Sequence, residues 1–224
     1  MHYVFQFNVV WEHFPELLNG ALLTIQLSAM AMGLGLCLAI LCAYGKAAGP
    51  NWARWLVAGY VELIRNTPFL VQIFIFYFSL PVIGIRLTAN TAALLAMTVN
   101  LGAYASEIVR AGIEAIPRGQ VEAARALGLR RLQIFRFIII FPALKTVYPA
   151  LASQFILLML SSSVVSTISA VELTAITNSL QSTTFRSFEF YFVATGLYLV
   201  MALGFRAGLS AIYWAVFERG RVAR

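Results

Sequence analysis

The chain has 224 residues, of which 61% are hydrophobic and only 11% are charged. Soluble globular domains carry about 25% charged residues, so this composition excludes a soluble domain and indicates a membrane protein. The net charge of +7 does not indicate nucleic-acid binding, because the basic residues lie in short segments between apolar runs and not in one patch. The sequence contains no aspartate, and we predict neither catalytic residues nor a metal site.

Five apolar runs are long enough to cross a bilayer, whose core requires about 20 residues per helix. We therefore predict one all-α transmembrane domain over residues 1–224. Its five transmembrane helices are expected at about 17–45, 54–80, 88–112, 146–170 and 190–216.

The basic residues predict the orientation of these spans. With the N-terminus outside, the outer loops hold only Arg86 and Arg186, and the C-terminus lies in the cytoplasm. The inner segments then hold most of the positive charge: Lys46, Arg54, a loop cluster (Arg118, Arg125, Arg130, Arg131, Arg136 and Lys145), and Arg219, Arg221 and Arg224.

Charged and polar groups in membrane helices are functional candidates, because they are expensive in lipid. In the second span, Glu62 and Arg65 can pair across a helical turn. Pro68 follows Asn66 and Thr67 and predicts a kink there, since proline removes a backbone donor and disfavours helix at the residue before it.

Polar groups also occur in the third and fourth spans. The third span contains Asn100, Tyr104, Glu107 and Arg110. The fourth ends in a hydroxyl cluster, which either satisfies backbone carbonyls and neighbouring helices or lines a wet path, and we give these two interpretations equal weight. That cluster comprises Ser161, Ser162, Ser163, Ser166 and Thr167, and Glu172 follows it.

The loop at residues 116–136 has the pattern of a structured docking element. Pro117 suits the first turn of a helix, and Gly128 is expected to end or bend that helix with a positive φ. A helical wheel places Ala123, Ala124, Leu127 and Gly128 on one side, with Glu122 and Arg125 on the other. The alternative interpretation is an amphipathic interfacial helix without a partner.

The loop resembles the EAA loop of ABC-type importer permeases. The resemblance rests on Glu122-Ala123-Ala124, on Gly128 after three further residues, and on the aliphatic run that ends at Pro142. In that family the proline commonly stands one residue closer to the glycine. Three further motifs resemble the branch for polar amino acids, namely histidine, glutamine, glutamate, arginine and opines. They are Glu62-x-x-Arg65-Asn66-Thr67-Pro68, the run from Gly102 to Ile113, and Glu172-Leu173.

The resemblance implies a permease subunit of a bacterial inner-membrane importer. Its expected partners are two cytoplasmic ATPase subunits that hold ATP and Mg, a second permease subunit that is identical or paralogous, and an external amino acid-binding protein. This chain would bind no cofactor of its own and would form half of the pathway.

We also hypothesise roles for individual residues, of which those of the loop follow from the resemblance. The expected ATPase-coupling residues are Glu122, Ala123, Ala124, Arg125, Leu127 and Gly128. The expected substrate-pathway residues are Asn66, Asn100, Tyr104, Glu107, Ser163 and Thr167, and the expected structural or gating residues are Glu62, Arg65, Pro68, Arg110 and Glu172.

The residues also leave three other classes of membrane protein as alternatives. A secondary carrier usually shows paired repeats and more spans, and a channel requires a filter-like loop or charged ring. An inert membrane scaffold is the third alternative, and co-purification of a separate ATP-hydrolysing protein distinguishes the importer from all three.

Overall fold

The computed structural model describes residues 3–218, and every regular secondary-structure element within that range is a helix. Arg219, Arg221 and Arg224 lie outside the described residues. The α-helices are α1 (Phe7–Glu12), α2 (Phe14–Ala48), α3 (Asn51–Arg65), α4 (Phe69–Phe74), α5 (Ala89–Glu114), α6 (Arg118–Ala126), α7 (Arg131–Gln133), α8 (Phe141–Ser161), α9 (Leu173–Thr184) and α10 (Ser187–Tyr213). Three π-helices (Ile75–Ser79, Ile134–Ile140 and Trp214–Glu218) and two 3₁₀ helices (Leu80–Ile83 and Ser162–Ile168) extend some of them.

Four continuous helical stretches are long and apolar enough to cross a membrane, and a fifth candidate is broken. This confirms the prediction of an all-α membrane protein with five spans, if the broken pair counts as one span. The continuous stretches are Phe14–Ala47, Ala89–Glu114, Arg131–Ile168 and Ser187–Glu218, and the broken pair is Asn51–Arg65 with Phe69–Ile83.

The break in the second candidate span is more severe than the kink expected at Pro68. Helix α3 ends at Arg65, and Asn66 leaves helical geometry with φ −98° and ψ 6°. Pro68 is extended, with ψ 138°. Its carbonyl accepts the amide of Val71, in the first turn of the next helix, at 3.0 Å. Because proline disfavours helix at Thr67 as well, the chain stops one helix and starts another.

The fourth long helix begins earlier than the sequence suggested. It starts at Arg131, so the last six residues of the expected 116–136 loop already belong to it. The π-helix Ile134–Ile140 precedes Pro142, and both Pro142 and Pro149 lie within α8. Only residues 127–130 separate α6 from this helix, because the apolar run after Arg131 is helical throughout.

Contacts divide the chain into two compact units. The first unit contains residues 3–32, 68–97 and 156–206 of the described chain. In it, α2 and α9 approach closely, and a Cβ at Gly20 would lie 3.0 Å from Leu173 Cα. Thr24 Oγ1 accepts the Leu173 amide at 3.1 Å and donates to the Gly20 carbonyl at 3.0 Å, so the polar groups at this contact are satisfied.

The second unit contains residues 33–67, 98–155 and 207–218 of the described chain. Helix α5 is its central element, because glycines let other helices approach it. A Cβ at Gly102 would lie 2.6 Å from Leu38 Cδ2, and one at Gly112 would lie 2.8 Å from the Ala143 carbonyl oxygen. The Tyr60 hydroxyl donates to the Val99 carbonyl at 2.6 Å, which attaches α3 to the same helix.

Candidate functional site

Helix α6 is a short, well-terminated helix that begins three residues after α5. Pro117 is its N-cap and not its first helical residue, and the Pro117 carbonyl accepts the Gln120 amide at 3.0 Å. At the other end Gly128 has φ 76°, as the sequence predicted. The Gly128 amide donates to Arg125 at 2.9 Å and the Leu129 amide donates to Ala124 at 3.2 Å, which together form a Schellman motif.

The structure divides the residues that the helical wheel had grouped together. Ala124 is buried with 4% exposure and Val121 is half-buried, and this side of α6 packs against the π-helix Ile134–Ile140. Ala123 is exposed, and Leu127 keeps 79% of its surface. Ala124 therefore belongs to the protein interior, whereas Ala123 and Leu127 are available to a partner.

Sequence reasoning missed Gly119 and Ala126 on the outward face of α6. Gly119, Ala123 and Ala126 are all exposed, and their spacing of four and three residues places them on one side of the helix. Side chains this small allow another backbone to approach closely. The signal was present in the sequence as the i, i+4, i+7 pattern, but it could not be told from the pattern that includes Ala124.

The outward face is bordered by charge on one flank. Glu122 and Arg125 are exposed, and together with Arg118 they line a cavity of about 300 Å³. Glu122 is the only acidic residue between positions 115 and 145, so the surface around α6 is strongly basic. An acidic partner surface would be attracted to it.

A chain of ion pairs runs along α5 towards α6. Lys46 Nζ lies 2.6 Å from Glu107 Oε1, and Arg110 Nε lies 2.9 Å from Glu107 Oε2. Arg110 Nη1 then lies 2.6 Å from Glu114 Oε1, at the last residue of α5. Glu107 thus bridges two cations, a role that sequence reasoning missed because Lys46 is 61 positions away.

Arg65 does not pair with Glu62 in the described part of the chain. Its guanidinium carbon lies 5.5 Å from the ring centroid of Tyr104, while Glu62 is exposed. Asn66 is also exposed, and its Nδ2 donates to the Glu62 carbonyl at 2.8 Å. Asn100 and Tyr104 are half-buried on α5.

The hydroxyl cluster of the first unit is bonded to its own helix. Ser163 donates to the Leu160 carbonyl at 2.9 Å, and Thr167 donates to the Val164 carbonyl at 2.8 Å. Ser162 and Ser166 make the same i−3 bonds within or just before the 3₁₀ helix. The structural interpretation of these hydroxyls is therefore supported, although Thr167 remains exposed.

Glu172 is fully buried and caps α9. Its carboxylate accepts the amides of Thr174 at 2.9 Å and Ala175 at 2.7 Å, and the hydroxyl of Tyr198 at 2.7 Å. Burial raises the pKa of the Glu172 carboxyl above its ordinary value, and these hydrogen bonds oppose that shift. The sequence identified Glu172 as structural but not these partners.

Residues 35–213 match the family described as binding-protein-dependent transport system inner membrane component. The chain is 34% identical to the octopine transport system permease protein of Rhizobium meliloti, over 96% of this chain and 91% of that protein. It is 31% identical to the glutamine transport system permease protein of Escherichia coli strain K12, over 89% of this chain and 92% of that protein.

Two solved structures have a similar fold. A chain of an amino acid ABC transporter crystallised with histidines superposes with a TM-score of 0.83 at 34% identity, covering 94% of this chain and 99% of that one. A chain of the methionine ABC transporter MetNI in an inward-facing conformation gives a TM-score of 0.76 at 20% identity, covering 92% and 99%. The second likeness concerns the fold alone.

Proposed function

This chain belongs to the family of binding-protein-dependent transport system inner membrane components and is a permease subunit of an ABC importer, and from that premise we propose what it carries and how it is driven. The proposed cargo is a polar amino acid or an opine, and the chain forms half of its pathway. The relatives named for octopine and glutamine transport support this choice.

The proposed input of force is α6. The observation that carries the proposal is its outward face of Gly119, Ala123 and Ala126, exposed beside Leu127 and outside the candidate spans. An exposed leucine at 79% beside small residues offers apolar surface and close approach together. A cytoplasmic ATPase subunit would seat this face in a cleft.

The proposed transmission runs from α6 into α5. Only three residues separate the two helices, and Glu107, Arg110 and Glu114 stiffen the end of α5 by ion pairs. When the ATPases close on ATP and displace α6, α5 is displaced with it, and the pathway alternates between outward and inward access. The ATP and Mg are held by the partner subunits and not by this chain.

The proposed pathway residues suit a zwitterion. The Ser163 and Thr167 hydroxyls donate hydrogen bonds to backbone carbonyls, so their oxygens remain acceptors for an ammonium group. Asn66, Asn100 and Tyr104 carry amide or phenol groups that can donate to a carboxylate. We retain Glu107 in the proposal as a support for α5, since two cations already occupy its carboxylate.

The proposed assembly has two permease subunits, identical or paralogous, two ATPase subunits, and an external binding protein that delivers the substrate. The chain lies in the inner membrane as a multi-pass protein. In the proposed orientation its N-terminus is outside, and α6 faces the cytoplasm with the basic residues around it.

Cross-linking tests the coupling role directly. In a background of Cys37→Ser and Cys42→Ser, Ala123→Cys in the reconstituted complex should cross-link to the ATPase subunit, and ATP should change the yield. Ser182→Cys on α9 is the matched control, because it is also exposed and on a short helix. Cross-linking from position 182 but not from 123 would overturn the assignment.

Uptake into proteoliposomes tests the cargo. Radiolabelled glutamine, arginine, histidine and octopine should be compared with an acidic sugar, in the presence of the binding protein. ATP-dependent accumulation of one of the amino acids supports the proposal. Uptake without ATP would favour a carrier or a channel instead.

A further inference from the structure

The second unit contains a cavity of about 550 Å³ that shares only Arg125 with the expected coupling residues. It lies among the end of α2, the start of α3, α6 and the helix that begins at Arg131. Small-molecule sites in proteins have volumes of about 300–1,000 Å³, so the cavity is large enough for a ligand. We name it the basic cavity, and its defining residues are Tyr44, Arg54, Arg125, Arg131, Phe135 and Ile139.

The charge of the basic cavity is unbalanced. Among residues 3–218, three arginines line it and no carboxylate does. None of the ion pairs among residues 3–218 involves Arg54, Arg125 or Arg131. The nearby Glu122 lines the adjoining 300 Å³ cavity, which shares Arg125. Three guanidinium groups around one space repel each other, and an anion between them removes that repulsion.

The rest of the wall is apolar and aromatic. The rings of Tyr44 and Phe135 pack edge to face with centroids 4.8 Å apart, and Ile134 and Ile139 continue this surface. A free inorganic anion would gain nothing from these groups. A ligand with an anionic head and an apolar body would contact both parts of the cavity.

The aromatic residues beside Arg54 place the start of α3 at the bilayer surface. Trp52 and Trp55 are exposed at 68% and 79%, although each is large and apolar. Tryptophan at such exposure is typical of the membrane–water interface, where the ring sits at headgroup level. We therefore expect Arg54 to lie at the depth at which lipid phosphates are found.

We propose that the basic cavity binds the phosphodiester headgroup of an anionic phospholipid. The arginines hold the phosphate, because the planar guanidinium matches its oxygens with two parallel hydrogen bonds. The Tyr44 hydroxyl would donate a hydrogen bond to the head, and the lipid's glycerol and first methylenes would lie along Phe135 and Ile139. This site requires the chain to be in a membrane, and of its three arginines only Arg125 belongs to the expected coupling residues.

Lipid retention in nanodiscs measures how tightly the basic cavity binds an anionic phospholipid. The full chain, purified with its ATPase subunit, is placed in nanodiscs of equimolar phosphatidylglycerol and phosphatidylcholine, re-extracted in detergent, and its bound lipid is quantified by native mass spectrometry. Arg54→Gln and Arg131→Gln should each weaken phosphatidylglycerol binding by about fivefold, the effect expected of one basic residue near an anionic lipid. Arg136→Gln is the matched control, since Arg136 is exposed on the same helix but does not line the cavity.

Further arms separate the competing explanations. Arg54→Lys and Arg131→Lys keep the charge and should bind more lipid than the glutamine variants, which distinguishes loss of charge from misfolding. Equal retention by wild type and both glutamine variants would overturn the proposal. So would binding of soluble glycerol phosphate as tight as that of phosphatidylglycerol, which would indicate a phosphate site. If the glutamine variants lost the ATPase subunit but retained as much lipid as the wild type, the occupant would be an acidic protein surface. That result would also overturn the proposal.

Discussion

The guanidinium of Arg65 lies over the ring of Tyr104, with 5.5 Å between the guanidinium carbon and the ring centroid. This contact joins the last residue of α3 to α5, just before the break at Asn66. A cation over a tyrosine face contributes about 0.5–1 kcal/mol at a partly exposed site. It replaces the pair with Glu62 that the sequence suggested, because the aromatic face lies on a neighbouring helix.

Tyr104→Leu should lower the stability of the purified chain by about 0.5–1 kcal/mol through loss of this contact. Tyr104→Phe keeps the aromatic face and should unfold like the wild type, which can be measured by thermal denaturation in detergent. If the phenol also contacts substrate, Tyr104→Phe will raise the KM for uptake without changing stability. Equal stability of the leucine and phenylalanine variants would contradict the assigned contact.

Ala123→Trp should weaken binding of the ATPase subunit by about fivefold to 150-fold, since forcing a large side chain into a packed contact costs about 1–3 kcal/mol. Ala123→Ser is the control, because it changes polarity at the same exposed position but stays small. The measurement is ATPase co-purification together with substrate-stimulated ATP hydrolysis. Normal coupling in the tryptophan variant would show that the outward face of α6 touches no partner.

Gly128→Val should destabilise the turn after α6 by about 1–2 kcal/mol, because the position has φ 76° and a β-branched side chain is strained there. Gly128→Asn should be milder, since asparagine tolerates left-handed backbone. No atom would obstruct a Cβ at this position, so strain and not crowding is the expected cause. Gly119→Ala, within α6, should be neutral or stabilising by comparison. A valine variant as stable as the asparagine variant would contradict this explanation.

The Lys46–Glu107 pair should show a coupling energy of about 1–3 kcal/mol in a double-mutant cycle of Lys46→Met and Glu107→Gln. Its side chains are only 22% and 19% exposed. The Arg110–Glu114 pair is the internal control, with side chains 39% and 63% exposed, and should give at most about 0.5 kcal/mol. The reverse order of the two coupling energies would show that burial does not govern these pairs.

Glu172→Gln should destabilise the chain by about 1–2 kcal/mol, because the amide nitrogen cannot accept the hydrogen bonds that cap α9. Glu12→Gln removes a charge from an exposed position and should leave stability unchanged. Thermal denaturation of both variants in the same detergent provides the comparison. Equal melting temperatures of the two variants would show that Glu172 does not stabilise the first unit.

Features with local causes could be predicted from the sequence. The length of the apolar runs predicted the membrane-spanning helices, Pro68 predicted the interruption in the second span, and Gly128 predicted the turn after α6. The partners of Arg65 and Glu107 could not be predicted, because Tyr104 and Lys46 are distant in the chain and reach them only through packing. The inward side of α6 was misjudged for the same reason, since only the π-helix Ile134–Ile140 shows that Ala124 faces the protein.

The same π-helix lies between Gly128 and Pro142, the stretch that is one residue longer than in the family pattern this loop resembles. A π turn closes with i→i+5 hydrogen bonds and so accommodates an extra residue within the helix. In an α-helix, one inserted residue would rotate every later side chain by about 100°. A π turn before Pro142 would let one added residue be accommodated without rotating the side chains of α8. The buried face of α8 would then keep the same packing partners.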